Sequence, residues 1–148
     1  MATIPCPECC AAFRDSEDSC ASRFAVLLGL DHSRHEPWGS RHGQAFAAFA
    51  LQHPAAYPQS LDHAWAALCQ IYVAQADPRY VFATLRASAD REVPPLWTVP
   101  PRPAQRLSAP SVTIADLTDF AADAYPTQLD AWCCASLASW GLSLARMT

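Results

Sequence analysis

Ser60-Leu61-Asp62-His63-Ala64-Trp65-Ala66-Ala67-Leu68-Cys69-Gln70-Ile71-Tyr72 is the stretch that decides the fold. Leu61, Trp65, Leu68 and Tyr72 recur at four-three-four spacing with Cys69 beside them, which places the apolar side chains on one face of a helix and the polar ones opposite. Upstream, the same period recurs. Ser40 caps a second helix whose His42, Phe46, Phe49 and His53 line one face, and Pro54 ends it because proline restricts the residue before it and donates no hydrogen bond. Earlier still, Asp15 or Ser16 caps a first helix running to about Leu30, with Glu17 and Asp18 in its first turn beside the positive end of the dipole. Cys20, Phe24, Leu27 and Leu28 form its inward stripe, and the polar stretch Asp31 to Trp38 is the turn between the two.

Downstream of the deciding stretch, Asp77-Pro78 reads as an N-cap followed by proline at the first helical position, opening a fourth helix through roughly Ala89 with Val81, Phe82 and Leu85 inward. From Pro94 to Pro110 the chain holds six prolines and no period, so this segment is expected to be an extended strap across the bundle, anchored by Trp97. Thr113 with Asp116 three residues on opens a fifth helix that Tyr125-Pro126 stops. Thr127 caps a sixth, nearly fully buried, with Leu129, Trp132 or Cys133, Leu137, Trp140 and Leu144, running to about Arg146. No segment alternates as a sheet would. The expectation is an all-α bundle of about six helices, residues 1–148 forming one domain, with the strap at 94–110 before the last two helices.

Composition narrows the function. The chain is 51% apolar, only 16% charged, and carries a net charge of −4. All ten basic residues are arginine, too few and too scattered for a nucleic-acid surface. No apolar run reaches the length of a membrane span and the N-terminus lacks a signal-peptide pattern, so a cytoplasmic protein is expected. Seven cysteines, two pairs of them adjacent (Cys9-Cys10 and Cys133-Cys134), do not suggest a disulfide framework. Reduced thiols, some of them on a metal, fit better.

Cys6-Pro7-Glu8-Cys9 is the metal signal. Two thiolates at this spacing approach one ion because the intervening turn points both sulfurs inward. The remaining donors follow from the helices. If the first and second helices pack antiparallel across a short turn, Cys20 and His53 meet at one end, so Cys6, Cys9, Cys20 and His53 are expected to close one tetrahedral zinc site. His42 lies about three turns from His53, roughly 16 Å along the helix, so both cannot bind one ion. Cys10 is a reserve donor. Taken singly, Cys20 as a buried thiol and His53 as a helix-terminal histidine need no metal.

These residues resemble a bacterial family known only as domain of unknown function 5946. The resemblance is carried by Cys6-Pro-Glu-Cys9, Cys20, Phe24, Leu27-Leu28, His42 and Ala50-Leu51-Gln52-His53-Pro54. Val112-Thr-Ile-Ala-Asp116 and the tryptophans of Ala131-Trp132 and Ser139-Trp140 are also similar to that family's closing helices. The family pattern places a glycine after the second cysteine where this chain has Cys10. The resemblance implies no activity.

Other features read structurally. His42 has no evident carboxylate partner and reads as a core or cap residue. His32 and His35 with Asp31 and Glu36 read as turn residues rather than a second metal site, and His63 beside Asp62 as an exposed helix end. Trp65, Trp132 and Trp140 sit at helical spacing and belong to the core. Cys133-Cys134 reads as packing, and Pro100-Pro101-Arg102-Pro103 as part of the strap rather than a recognition segment. The leading functional expectation is a binding or interaction module with a structural zinc, its partner a protein or small molecule, with no nucleic acid and no membrane. One alternative is a metal-dependent hydrolase with an open zinc position, served by Glu8 or Glu17. Another is a thiol-based redox or metal sensor, with Cys10 as responder.

Overall fold

The computed structural model describes residues 4–95, 97–117 and 119–144. They form five α-helices: α1 (Cys20–His32), α2 (His42–Gln52), α3 (Leu61–Tyr72), α4 (Pro78–Arg91) and α5 (Tyr125–Ser139). Single 3-10 turns at Gly39–Arg41, Pro58–Ser60 and Ile114–Asp116 join them, and there is no strand among the described residues. No helix among these residues is long and apolar enough to cross a membrane.

The all-α expectation holds, with five helices rather than six. The difference lies after Thr113. Its capping box forms as the sequence suggests, with the Thr113 amide donating to Asp116 Oδ2 at 2.8 Å and the Ala115 amide to Thr113 Oγ1 at 3.2 Å. The turn does not propagate, because Leu117 leaves helical geometry at ψ 85° and Phe120 turns left-handed at φ 55°. The carbonyls that a next helical turn would use are taken by other elements: Arg23 donates to Leu117 O, and Trp38 Nε1 to Phe120 O at 2.9 Å. Pro126 then opens α5 instead of stopping its predecessor, since a proline in the first turn forfeits no helical hydrogen bond. At the other end α5 stops at Ser139, and Gly141 at φ 104° turns the chain. The extension expected to Arg146 falls partly outside the described residues.

The start of α1 also shifts. Asp15 spends its carboxylate on the Glu17 amide at 2.9 Å in a local turn, competing with helix initiation. The helix starts at Ser19 instead, where Ser19 and Ser22 exchange side-chain and backbone hydrogen bonds. Asp77 caps α4 through the Arg79 amide at 2.8 Å with Pro78 in the first turn, as the sequence predicts.

α2 is central, buried on nearly all sides between α3 and α5. Its Gln52 side chain donates to Val112 O at 2.8 Å and Ser136 Oγ at 3.0 Å, while Trp140 Nε1 donates to Leu51 O at 2.9 Å. Trp65, Trp132 and Trp140 are all buried core residues, Cys133 is buried with them, and Cys134 is half-buried. The described residues of the strap cross the bundle without helix. Pro100 O accepts from Trp65 Nε1 at 2.7 Å, Arg102 pairs with Asp62 at 2.9 Å and lies over the Trp140 ring, and Trp97 packs half-buried against Ala67, Ile71 and Val81.

α1 and α2 run antiparallel, as three side-chain pairs show. Cys20 stands with His53, Phe24 stacks on Phe49 at 4.0 Å between ring centroids, and Asp31 bonds His42 at 2.9 Å. Each step of four and then seven residues up one helix is matched by the same step down the other, which is how facing helical stripes stay in register.

Candidate metal centre

Cys6, Cys9, Cys20 and His53 converge, with one donor atom from each lying within 4.8 Å of all the others. Three elements deliver them. The turn at Cys6–Cys9 supplies two thiols and is closed by the Cys10 amide donating to Cys6 O at 2.9 Å and the Cys6 amide to Ala11 O at 2.8 Å. The first residue of α1 supplies Cys20, and the residue that terminates α2 supplies His53. Cys9 is 0%, His53 5% and Cys20 7% exposed, whereas Cys6 is half-buried.

The donors suit a tetrahedral ion. Cys9 and Cys20 sulfurs lie 3.5 Å apart; two thiolates about 2.3 Å from a shared centre at the tetrahedral angle stand roughly 3.8 Å apart. His53 Nδ1 bonds the Phe49 carbonyl at 2.8 Å. That bond requires the proton on Nδ1 and leaves Nε2 a lone-pair donor, the outer-shell arrangement that orients metal-binding histidines. Nε2 is buried and has no hydrogen-bond partner. An orphaned acceptor facing three sulfurs is costly unless a cation takes it. The Phe49 ring stacks on the imidazole at 4.1 Å and fixes its plane.

Electrostatics agree. The hydrogen bond from Cys20, outweighing burial, brings the Cys9 thiol down to about 4, with His53 and the Ala11 backbone adding to it. The same bond, with burial, holds Cys20 far above the ordinary thiol range. At His53 burial acts downward, but Cys9 and the Phe49 carbonyl outweigh it and raise the imidazole. The shifts at all three groups trace in large part to the donors' contacts with one another.

The residues set aside fall elsewhere. Cys10 is exposed and outside the cluster, with a left-handed φ of 66°. A non-glycine residue there carries a penalty of order 1–2 kcal/mol. Cys10→Gly is accordingly expected to raise the stability by about 1 kcal/mol, read as a higher melting temperature, with the metal content unchanged. Glu8 is committed to the Ala55 amide at 2.7 Å, and Glu17 is exposed in the turn before α1, so no carboxylate joins the cluster among the described residues. His42 stands at the far end of the α1–α2 pair, as the spacing predicts, but it does have a carboxylate partner, the fully buried Asp31. The sequence places that aspartate in a turn, whereas α1 runs on to His32 and turns it inward. Glu36 binds Ser40 and Arg41, and no second cluster of three or more metal-binding side chains occurs among the described residues.

One contributor has no signal in the sequence. Arg106, from the strap, donates to Gln52 O at 3.2 Å and to Glu8 O. It thereby fastens the cysteine turn to the end of α2 through the neighbours of Cys9 and His53.

The model of a family of unknown function, DUF5946, matches residues 4–141. The chain belongs to that family. The matched span takes in all four donors of the cluster and the strap that clamps them. No curated protein and no solved structure matches this DUF5946 chain.

Beside the cluster a cavity of about 590 Å³ opens to the surface. Cys6, Cys20 and His53 form part of its wall, with Phe24, Phe49 and Tyr57 among the apolar groups completing it. The cluster and the cavity thus share three residues.

Proposed function

We propose that this DUF5946 protein is a cytoplasmic zinc protein in which the metal is a structural staple and the adjoining apolar cavity is the binding site for a small apolar molecule. The supporting observation is the convergence of three thiols and one imidazole around a point that no carboxylate reaches among the described residues. Three soft sulfurs and a borderline nitrogen favour zinc over magnesium, calcium or manganese, which take oxygen. Four protein donors complete the tetrahedron and leave no position for an activated water, which weighs against the hydrolase reading. When bound, the ion would tie the turn at Cys6–Cys9 to α1 and α2. The chain's own groups do the rest: Phe49 O orients His53, Arg106 holds the two backbones together, and the Phe49 ring holds the plane of the imidazole. The acidic net charge and scattered arginines argue against nucleic acid as the ligand.

Protein purified without chelator is expected to contain about one zinc per chain. Cys6→Ser is expected to lower the melting temperature without abolishing the cooperative transition, because most of the core, including Leu51, Leu68, Trp132, Leu137 and Trp140, is buried without help from a metal. Metal analysis together with thermal melting tests this. Absence of zinc together with an unchanged Cys6→Ser melt would overturn the reading.

A further inference from the structure

The far end of the α1–α2 pair carries a second cavity, which shares no wall residue with the one beside the metal cluster. It measures about 220 Å³ and lies between α2, α3 and α4, with Phe46, Phe82, Leu85 and three alanines as its apolar wall and His42, Ser60 and His63 as its polar groups. We propose that this cavity binds a small uncharged phenol, the hydroxyl on His42 Nε2 and the ring among the apolar side chains. The inference does not depend on the metal.

Three observations carry it. The first is the orientation of His42. Its Nδ1 lies 2.9 Å from Asp31 Oδ2, and the Asp31 side chain is fully buried while that of His42 keeps 42% of its exposure. A carboxylate acceptor places the proton of a neutral imidazole on Nδ1. Nε2, on the opposite edge of the ring, is then a lone-pair donor bonded to no described residue. The His32 ring packs beside the imidazole at 5.5 Å between centroids, so the ring is held from two sides before a ligand arrives.

The second is the isolation of Asp31. Its Oδ1 is buried and has no hydrogen-bond partner among the described residues. A carboxylate so sparsely satisfied is costly to bury. What it holds in place is one histidine in a cavity wall, the arrangement of an oriented functional imidazole.

The third is the wall itself. None of the lining residues carries a carboxylate or a guanidinium, so an ionic ligand would lose its hydration without gaining a salt bridge, and an anion would also approach Asp31. A hydroxyl suits Nε2 in either state of the imidazole, because it donates to the lone pair of the neutral ring and accepts from the N–H of the charged one. An apolar cavity of about 150 Å³ accommodates one benzene, so this one takes a single ring with a small substituent. Phe46 and Phe82 offer edge-to-face contacts to such a ring. Phe82 lies against Gly43, where a Cβ would stand 2.7 Å from its ring carbons, and the missing side chain lets that ring wall the cavity directly on α2.

The full chain is titrated at pH 7 with phenol and, separately, with anisole, and long-range nitrogen–proton NMR spectra identify the imidazole that responds. Phenol is expected to bind about fivefold or more tightly than its methyl ether, which has no proton to donate. Phenol is also expected to move the Nε2 resonance of His42 and leave that of His53 in place. His42→Asn keeps an amide N–H for Asp31 but puts no acceptor where Nε2 stood, and it is expected to bind the two compounds equally. Leu85→Trp, which fills the cavity from α4, is expected to bind neither. Equal affinity of the parent chain for phenol and anisole, a phenol preference that survives His42→Asn, or no phenol binding at millimolar concentration would each overturn the inference. A response at His53 in place of His42 would overturn it too, and would instead support the cavity beside the metal cluster as the site for small apolar molecules.

Discussion

His53→Ala is expected to lose zinc, and His42→Ala to keep it. The antiparallel pairing of α1 and α2 puts His53 beside Cys20 and sends His42 to the other end, beside Asp31. Eleven residues separate the two histidines on α2, roughly 16 Å, so they cannot exchange roles. Outer-shell partners of a metal typically contribute 10–100-fold to affinity, and removing a direct donor is expected to cost more than about 100-fold. The readout is competition for zinc against a chromophoric chelator. His42→Ala has a separate signature: it strips Asp31 of its donor and leaves a carboxylate buried without it, a destabilisation of about 1–3 kcal/mol seen in the melt and not in the metal. Zinc lost from His42→Ala and retained in His53→Ala would place the centre at the opposite end of the bundle.

Arg106→Ala is expected to weaken zinc retention although Arg106 touches no donor. Its guanidinium bridges the carbonyls of Glu8 and Gln52, each the neighbour of a candidate ligand. Charge-assisted hydrogen bonds contribute about 1.5–3 kcal/mol apiece, so losing both is expected to cost about 2–4 kcal/mol after partial rescue by water. In zinc affinity the expected loss is about 10–100-fold, the range of an outer-shell contact. Arg106→Lys is expected to recover little, because a point ammonium cannot span two carbonyls as the planar fork does. Equal zinc affinity in Arg106→Ala and the parent, measured by the same chelator competition, would show that the strap is irrelevant to the centre.

The candidate centre was largely legible from helical periodicity. Cys20, Phe24 and Leu27 set the inward stripe of α1, and Phe49 and His53 that of α2. A short turn between the two helices makes them antiparallel, so the heights of Cys20 and His53 follow from residue counts. What remained hidden depends on contacts between residues far apart in sequence. Nothing near Thr113 reveals that Arg23 and Trp38 will take the carbonyls a longer helix would have needed. Nothing near Arg106 reveals Glu8, 98 positions away in the sequence. The exposed, left-handed Cys10 was hidden differently: an αL position is visible in sequence when glycine occupies it, and here a cysteine does.

The contact between Glu8 and Arg106 also orders the protein's birth. On a ribosome the cysteine turn is made first and His53 about 45 residues later, so the four donors are complete while the clamp is still unsynthesised. At about 5–20 residues per second, Arg106 follows His53 by roughly 3–10 seconds. During that interval the nascent chain can capture an ion with all its donors but without the strap that fastens them. The metal would then be exchangeable early and held firmly late, so that loading belongs to translation and retention to the finished fold.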